Sequence, residues 1–264
     1  STTLVSAPIV AVSSITGEGI PELLATIDEL LSSTQPRQDI GRPRLPIDRV
    51  FTIAGSGTVV TGTLIDSSLS VGQEVEILPA GLKSRIRGLQ THKAREDTAT
   101  PGSRVAVNLV GLTTSQLQRG DVITTPGWLI PTMKLSASLH LLPHLRRPLR
   151  HNAAVSFHTG AAETMAKVRL LEKEKLEPGE TTWVQIILAE PVALVKGDRF
   201  IIRSTMDTIG GGIVVESDAK QLRRFRKAAP AVQCLKGRSL ATRIYLRCRL
   251  LQFRLKQCPR RRQK

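Results

Sequence analysis

Asp48-Arg49-Val50-Phe51-Thr52-Ile53-Ala54-Gly55-Ser56-Gly57-Thr58-Val59-Val60-Thr61-Gly62-Thr63 decides how the rest of this chain is read. Val50 and Thr52 alternate with Phe51 and Ile53 as in a strand, and Thr58-Val59-Val60-Thr61 is a β-branched run suited to a pleated surface. Glycines between two such runs supply the positive φ of a hairpin, and Gly62 interrupts the second run. The stretch is therefore two antiparallel strands. A phosphate loop is excluded by context: a dinucleotide fingerprint must open a helix, and a P-loop ends in G-K-[ST]. Here Gly57 leads into Thr58-Val59-Val60-Thr61 with no Lys, and β-branched residues disfavour a helix.

Downstream, from Pro46 to about Thr125, short β-rich runs recur at Val50–Ile53, Thr58–Leu64, Val75–Leu78, Ser84–Leu89, Arg104–Leu109 and Asp121–Ile123. Turn residues punctuate them at Val71-Gly72, Pro79-Ala80-Gly81, Pro101-Gly102 and Arg119-Gly120. That rhythm predicts a closed barrel. Pro126-Gly127 breaks the chain, and a second set follows at Met133–Leu142, Ala153–Phe157, Met165–Leu171, Trp183–Leu188, Arg199–Ile202 and Ile213–Val215. Thr208-Ile209-Gly210-Gly211-Gly212 is expected to be a bend, because three glycines suit unusual backbone angles. A second barrel is the economical reading.

Upstream, Pro8–Val12 reads as a short buried strand, followed by the polar turn Ser13–Gly19. Ile20, Leu23, Leu24, Ile27, Leu30 and Leu31 then recur at helical spacing, with Pro21 in the first turn. Strand, loop and amphipathic helix make half of an α/β unit, which cannot bury both its faces alone. Residues 34–45 are a Pro/Gly/Arg linker without periodicity. The expected organisation is a mostly β protein with two consecutive antiparallel barrels at 46–125 and 129–219, behind an α/β remnant at 1–33.

The formal net charge of +16 is localised: residues 220–264 hold 16 of the 38 basic residues and no acid, and the rest of the chain holds 22 of each sign. Cys234, Cys248 and Cys258 lie in the same tail at spacings that fit no zinc pattern. With neither a signal peptide nor a long apolar run, the expectation is a cytoplasmic monomer. A first residue that is not Met suggests a chain that begins mid-protein.

The stretch 48–63 resembles the signature of the second domain of translation GTPases, which carry an Arg, an aromatic and then G-x-G-T-V-V-T-G near the start of a barrel. Leu176-x-Pro178-Gly179-Glu180, Gly197-Asp198-Arg199-Phe200-Ile201-Ile202-Arg203 and Thr208–Gly212 are similar to the third domain of the selenocysteine-specific translation elongation factors, the SelB type. Over roughly residues 8–226 the chain resembles a fragment of such a factor, from the end of the GTP-binding domain through both barrels.

That resemblance implies site residues. Ser13, Ser14 and Ile15 match the guanine loop, with the Ser14 backbone N–H approaching the guanine carbonyl of GTP; Ile15 departs from the usual Lys. Asp48, Arg49 and Arg104 match the selenocysteinyl pocket. Selenocysteine differs from serine and cysteine in a selenol acidic enough to be an anion at neutral pH, which calls for fixed positive charge and donors. The implied partners are selenocysteinyl-tRNA and the ribosome, with an mRNA selenocysteine-insertion hairpin only in a full-length protein. The implied cofactor is GTP with Mg²⁺ in the intact protein. The chain has no P-loop Lys and no Mg²⁺ ligands, so no GTPase activity is expected from it alone.

Other features are ambiguous in sequence. Asp48 and Arg49 also read as an ordinary surface ion pair. His140 and His144 are four apart, but Pro143 denies them a helix face, so solvated or core histidines are expected. Arg146-Arg147-Pro148-Leu149-Arg150-His151 suits either tRNA phosphate or a polar loop. The resemblance stops beyond Ala228, and the tail reads as out of frame or disordered. Two alternatives stand beside the main reading: a sister factor carrying an ordinary aminoacyl-tRNA or initiator tRNA, and a non-catalytic RNA-binding protein acting through residues 228–264.

Overall fold

The computed structural model describes residues 7–33, 40–55, 57–205 and 207–217. Ser56, the first part of the linker and the basic tail with its three cysteines lie outside the described residues. The chain divides into two compact units, Ser1–Asp39 and Ile40–Lys264.

In the first unit, α1 (Ile20–Ser33) forms where the helical spacing places it, with Glu22 in its first turn, where a carboxylate complements the helix dipole. None of its residues is buried. Pro8–Val12 does not form the expected strand. A strand needs a ladder partner, and the described residues of this unit supply none; Ile9 stays exposed.

The second unit holds both barrels. The strands of the first are β1 (Arg44–Ile53), β2 (Gly57–Thr63), β3 (Leu69–Ser70), β4 (Glu74–Leu78), β5 (Leu82–Thr91), β6 (Ala94–Glu96), β7 (Thr98–Ala99), β8 (Arg104–Leu109) and β9 (Val122–Thr124). The order β4-β9-β1-β2-β8-β5 closes through β4–β5 into a six-stranded barrel, with β6 added beside β5. The hairpin pairs Thr52 with Thr58 and Ile53 with Gly57. Gly55 and Gly57 turn it at φ of 78° and 87°, as its glycines predict. Gly62 has a different reason to be Gly: a Cβ there would lie 2.2 Å from the Pro46 carbonyl oxygen. Leu45, Ile47, Val60, Ile77, Val105 and Val107 are in its core.

The strands of the second barrel are β10 (Thr132–Leu141), β11 (Leu149–Arg150), β12 (Ala153–Thr159), β13 (Ala162–Leu170), β14 (Lys175–Leu176), β15 (Thr181–Val192), β16 (Arg199–Arg203) and β17 (Thr208–Glu216). It closes in the order β10-β15-β13-β12-β16-β17, with Phe157 and Phe200 stacked in its core at 5.2 Å between centroids. The expected triple-glycine bend is instead the first half of β17, paired on both sides. None of Gly210, Gly211 and Gly212 has positive φ. They are glycine because the neighbouring strands approach closely: a Cβ would lie 2.4 Å from the His140 oxygen at Gly210, 2.6 Å from the Phe200 oxygen at Gly211 and 1.8 Å from the Ser138 oxygen at Gly212.

Candidate functional site

The charged residues of the opening stretch come together through a β-bulge. Ile47 pairs with Gly62 and Arg49 with Thr61, so Asp48 is the extra residue of β1. Leu45 and Ile47 point into the core, and after the bulge Val50 does so again. Asp48 and Arg49 therefore both face outward, which strict alternation forbids for adjacent residues.

On that outer face β8 brings in Arg104, opposite Thr63 on β2. Arg104 Nη1 donates to Asp48 Oδ2 at 2.5 Å and Nη2 to Asp48 Oδ1 at 2.9 Å, a two-pronged guanidinium–carboxylate pair. Thr61 Oγ1 donates to Asp48 Oδ1 at 2.7 Å and lies 3.4 Å from Arg104 Nη2. Side-chain exposure is 53% for Arg104 and 28% for Asp48, so a ligand can reach both. Partial burial of Asp48 raises its pKa, but the hydrogen bonds from Arg104 and Thr61 and the charges of Arg104 and Arg49 outweigh this and leave it below the ordinary carboxylate value. The same pair raises the Arg104 pKa.

The Arg49 side chain is exposed and donates no hydrogen bond to a described residue; it reaches Asp48 only through its charge. The ion pair of this site is thus Asp48–Arg104, not the adjacent Asp48–Arg49 pair that sequence suggests. One carboxylate set against two guanidiniums leaves a net positive site. Thr61 is a member that sequence reading missed. It was within reach of the hairpin register, which places Thr61 opposite Arg49 and beside Ala106.

The same face continues along β1, β2 and β8 into a cleft of about 360 Å³, lined by Ile53, Val59, Gln90, Ala106 and Asn108 among others. Its walls are mixed, with Arg87, Arg95, Glu96 and Asp97 beside the apolar side chains.

In the first unit, the Ser13–Gly19 turn is ordered by its own backbone. Gly17 N donates to Ser13 O at 2.9 Å, Ser13 N to Glu18 O at 3.0 Å, and Thr16 N to Ser13 Oγ at 3.2 Å. Gly19, at φ 74°, comes so near the Ala11 carbonyl that a Cβ would lie 2.0 Å from its oxygen. Ser14 and Ile15 make no hydrogen bond to a described residue, and Ile15 is 95% exposed.

His140 Nδ1 lies 3.0 Å from Thr181 Oγ1, and among the described residues no group of His, Cys, Asp or Glu is arranged to hold a metal. Arg146 and Arg147 border a cleft of about 920 Å³ at the end of the second barrel, with Leu141, Leu145 and Ile209 in its wall. Among the described residues no helix is long and apolar enough to cross a membrane.

Comparison with known proteins finds the family described as "Elongation factor Tu domain 2" over residues 57–124. The family described as "Selenocysteine-specific elongation factor, beta-barrel domain" matches residues 136–221. The chain is 43% identical over 226 residues to a selenocysteine-specific elongation factor of Desulfomicrobium baculatum, covering 85% of this chain and 36% of the relative. It is 31% identical over 220 residues to elongation factor Tu 2 of Streptomyces avermitilis, covering 79% of this chain and 56% of the relative. It thus spans about a third to about half of the length of these relatives.

Proposed function

Because this chain belongs to the selenocysteine-specific elongation factor family, we propose that it serves selenocysteine incorporation, holding the aminoacyl end of selenocysteinyl-tRNA at Asp48, Arg49 and Arg104. The observation that carries this reading is the one carboxylate set among two guanidiniums where Asp48, Arg49 and Arg104 meet. Asp48 fixes Arg104 in a bidentate pair, and the Arg49 guanidinium beside it makes no hydrogen bond to a described residue. A selenolate is an anion at neutral pH and a serine hydroxyl is not, so two guanidiniums favour the first by charge and by directed donors. Asp48 orients Arg104 and supplies an acceptor for the aminoacyl group's ammonium. The adjoining cleft, lined by both apolar and polar side chains, has room for the terminal nucleoside of the tRNA.

GTP, with Mg²⁺, is the cofactor of the longer protein on this reading. The backbone N–H groups of Ser14 and Ile15 would meet the guanine base, and their lack of a described partner fits that task. When bound, the nucleotide supplies the chemical step of delivery to the ribosome; this chain contributes the base end of its site and the aminoacyl pocket.

The test compares selenocysteinyl-tRNA with seryl-tRNA on the same tRNA body, by direct binding to the chain. Wild-type protein should prefer the selenocysteinyl form by about tenfold, as expected of a directed, charge-assisted contact. Arg104→Asn should bring the two affinities together while leaving the seryl affinity unchanged. Equal affinities in the wild type would favour a sister factor that carries an ordinary aminoacyl-tRNA.

A further inference from the structure

Arg44 is the first residue of β1 and lies four residues before the Asp48 bulge. Its side chain is only 8% exposed, unusual for an arginine, and its donors are aimed in two directions. Nε donates to Asp66 Oδ2 at 2.5 Å, within the first barrel. Nη1 and Nη2 donate to Asp198 Oδ2 and Oδ1 at 2.6 and 2.9 Å, and Asp198 stands in the β15–β16 turn of the second barrel. The Asp198 carboxylate is itself braced by the Val195 N–H at 2.9 Å. Burial works against the Arg44 charge, yet the two carboxylates more than offset it and raise its pKa.

The rest of the seam is close apolar packing. Leu78 and Val122 of the first barrel cluster with Leu129 and Ala193. Gly120 approaches β13 so closely that a Cβ would lie 2.8 Å from Ala162 Cα, and Gly160 sits against Pro46. Such contacts bring surfaces together without dictating one angle, whereas a two-pronged guanidinium–carboxylate pair is directional. A buried pair adds little net stability over an apolar one, and its better-attested use is to specify a single arrangement.

We propose that Arg44 is a positioning residue that latches the two barrels into one body through its two-pronged pair with Asp198. The Asp48–Arg104 site and every surface of the second barrel then keep one fixed spacing. This inference does not depend on what the first barrel binds.

The experiment is a double electron–electron resonance measurement on the full chain, spin-labelled at Lys83→Cys in the first barrel and Lys167→Cys in the second. Cys234, Cys248 and Cys258 are replaced by Ser in this background. The parent should give one narrow distance. Arg44→Met and Asp198→Asn should each broaden the distribution at least twofold, whereas Asp66→Asn, which leaves the inter-barrel fork intact, should keep it narrow. Asp198→Asn retains an acceptor for Val195, so it carries the test if Arg44→Met fails to fold by circular dichroism. Unchanged widths in Arg44→Met and Asp198→Asn would overturn the latch, and so would equal broadening by Asp66→Asn.

Discussion

At the residue scale, Asp48 is kept ionised by what surrounds it. Partial burial pushes its pKa up, but the hydrogen bonds from Arg104 and Thr61 and the two arginine charges bring it below 3.8. A carboxylate with a depressed folded-state pKa adds stability that is complete above its unfolded value and lost as pH falls through the lower, folded value. A carbon-13 titration of the Asp48 carboxyl should therefore show it ionised below the ordinary carboxylate range. Arg104→Met, which removes the strongest of the opposing causes, should move it upward. A titration that ignores Arg104→Met would mean that the pair does not form in solution. The pair itself was not legible in sequence, because its members are 56 residues apart and only the β1-β2-β8 order makes them neighbours. The residue types were legible, since two arginines and an aspartate stand out among β-branched strands.

At the element scale, alternation and turn residues were enough to locate the strands of both barrels, because each strand has one face in a core and one outside it. Pro8–Val12 failed because an apolar run cannot become a strand without a neighbour. Gly210–Gly212 misled for another reason. Glycine serves both positive φ and close backbone approach, and sequence does not separate the two. The structure separates them and predicts the outcome of substitution. Gly212→Ala would press a methyl group to 1.8 Å from the Ser138 oxygen, and should destabilise the second barrel by about 3 kcal/mol. Gly88→Ala, on β5 with nothing within 4 Å of the new carbon and no positive φ, should change stability by less than about 0.5 kcal/mol. Urea denaturation of the two variants measures both.

At the scale of the whole molecule, charge and fold are separate properties. The described barrels belong to a stretch with equal numbers of acids and bases, and the surplus of +16 lies in residues 220–264. The selection of an acyl group proposed for Asp48, Arg49 and Arg104 should therefore be independent of the tail, whereas general attraction to RNA should not be. Deleting residues 228–264 should weaken binding to unrelated RNA and flatten its dependence on salt, with the selenocysteinyl-to-seryl preference unchanged. Loss of that preference on deletion would move the function into the tail. The two-barrel plan was legible because turn signals recur at strand-length intervals. The Arg44–Asp198 contact was not, since its residues are 154 positions apart and meet only once both barrels have closed.

The bulge in β1 gives chain length a meaning of its own. Core-facing residues run Leu45, Ile47 and then Val50, so the count changes from odd to even across one inserted position. Substituting Asp48 edits the chemistry of the site and leaves its scaffold in place. Removing that position restores plain alternation: Arg49 then follows Ile47 directly and still faces outward, Val50 still faces inward, and the strand loses both its bulge and the second of two adjacent outward side chains. The outer face of this hairpin is thus written partly in arithmetic, and two relatives with the same letters around it but one residue's difference in spacing would present different surfaces.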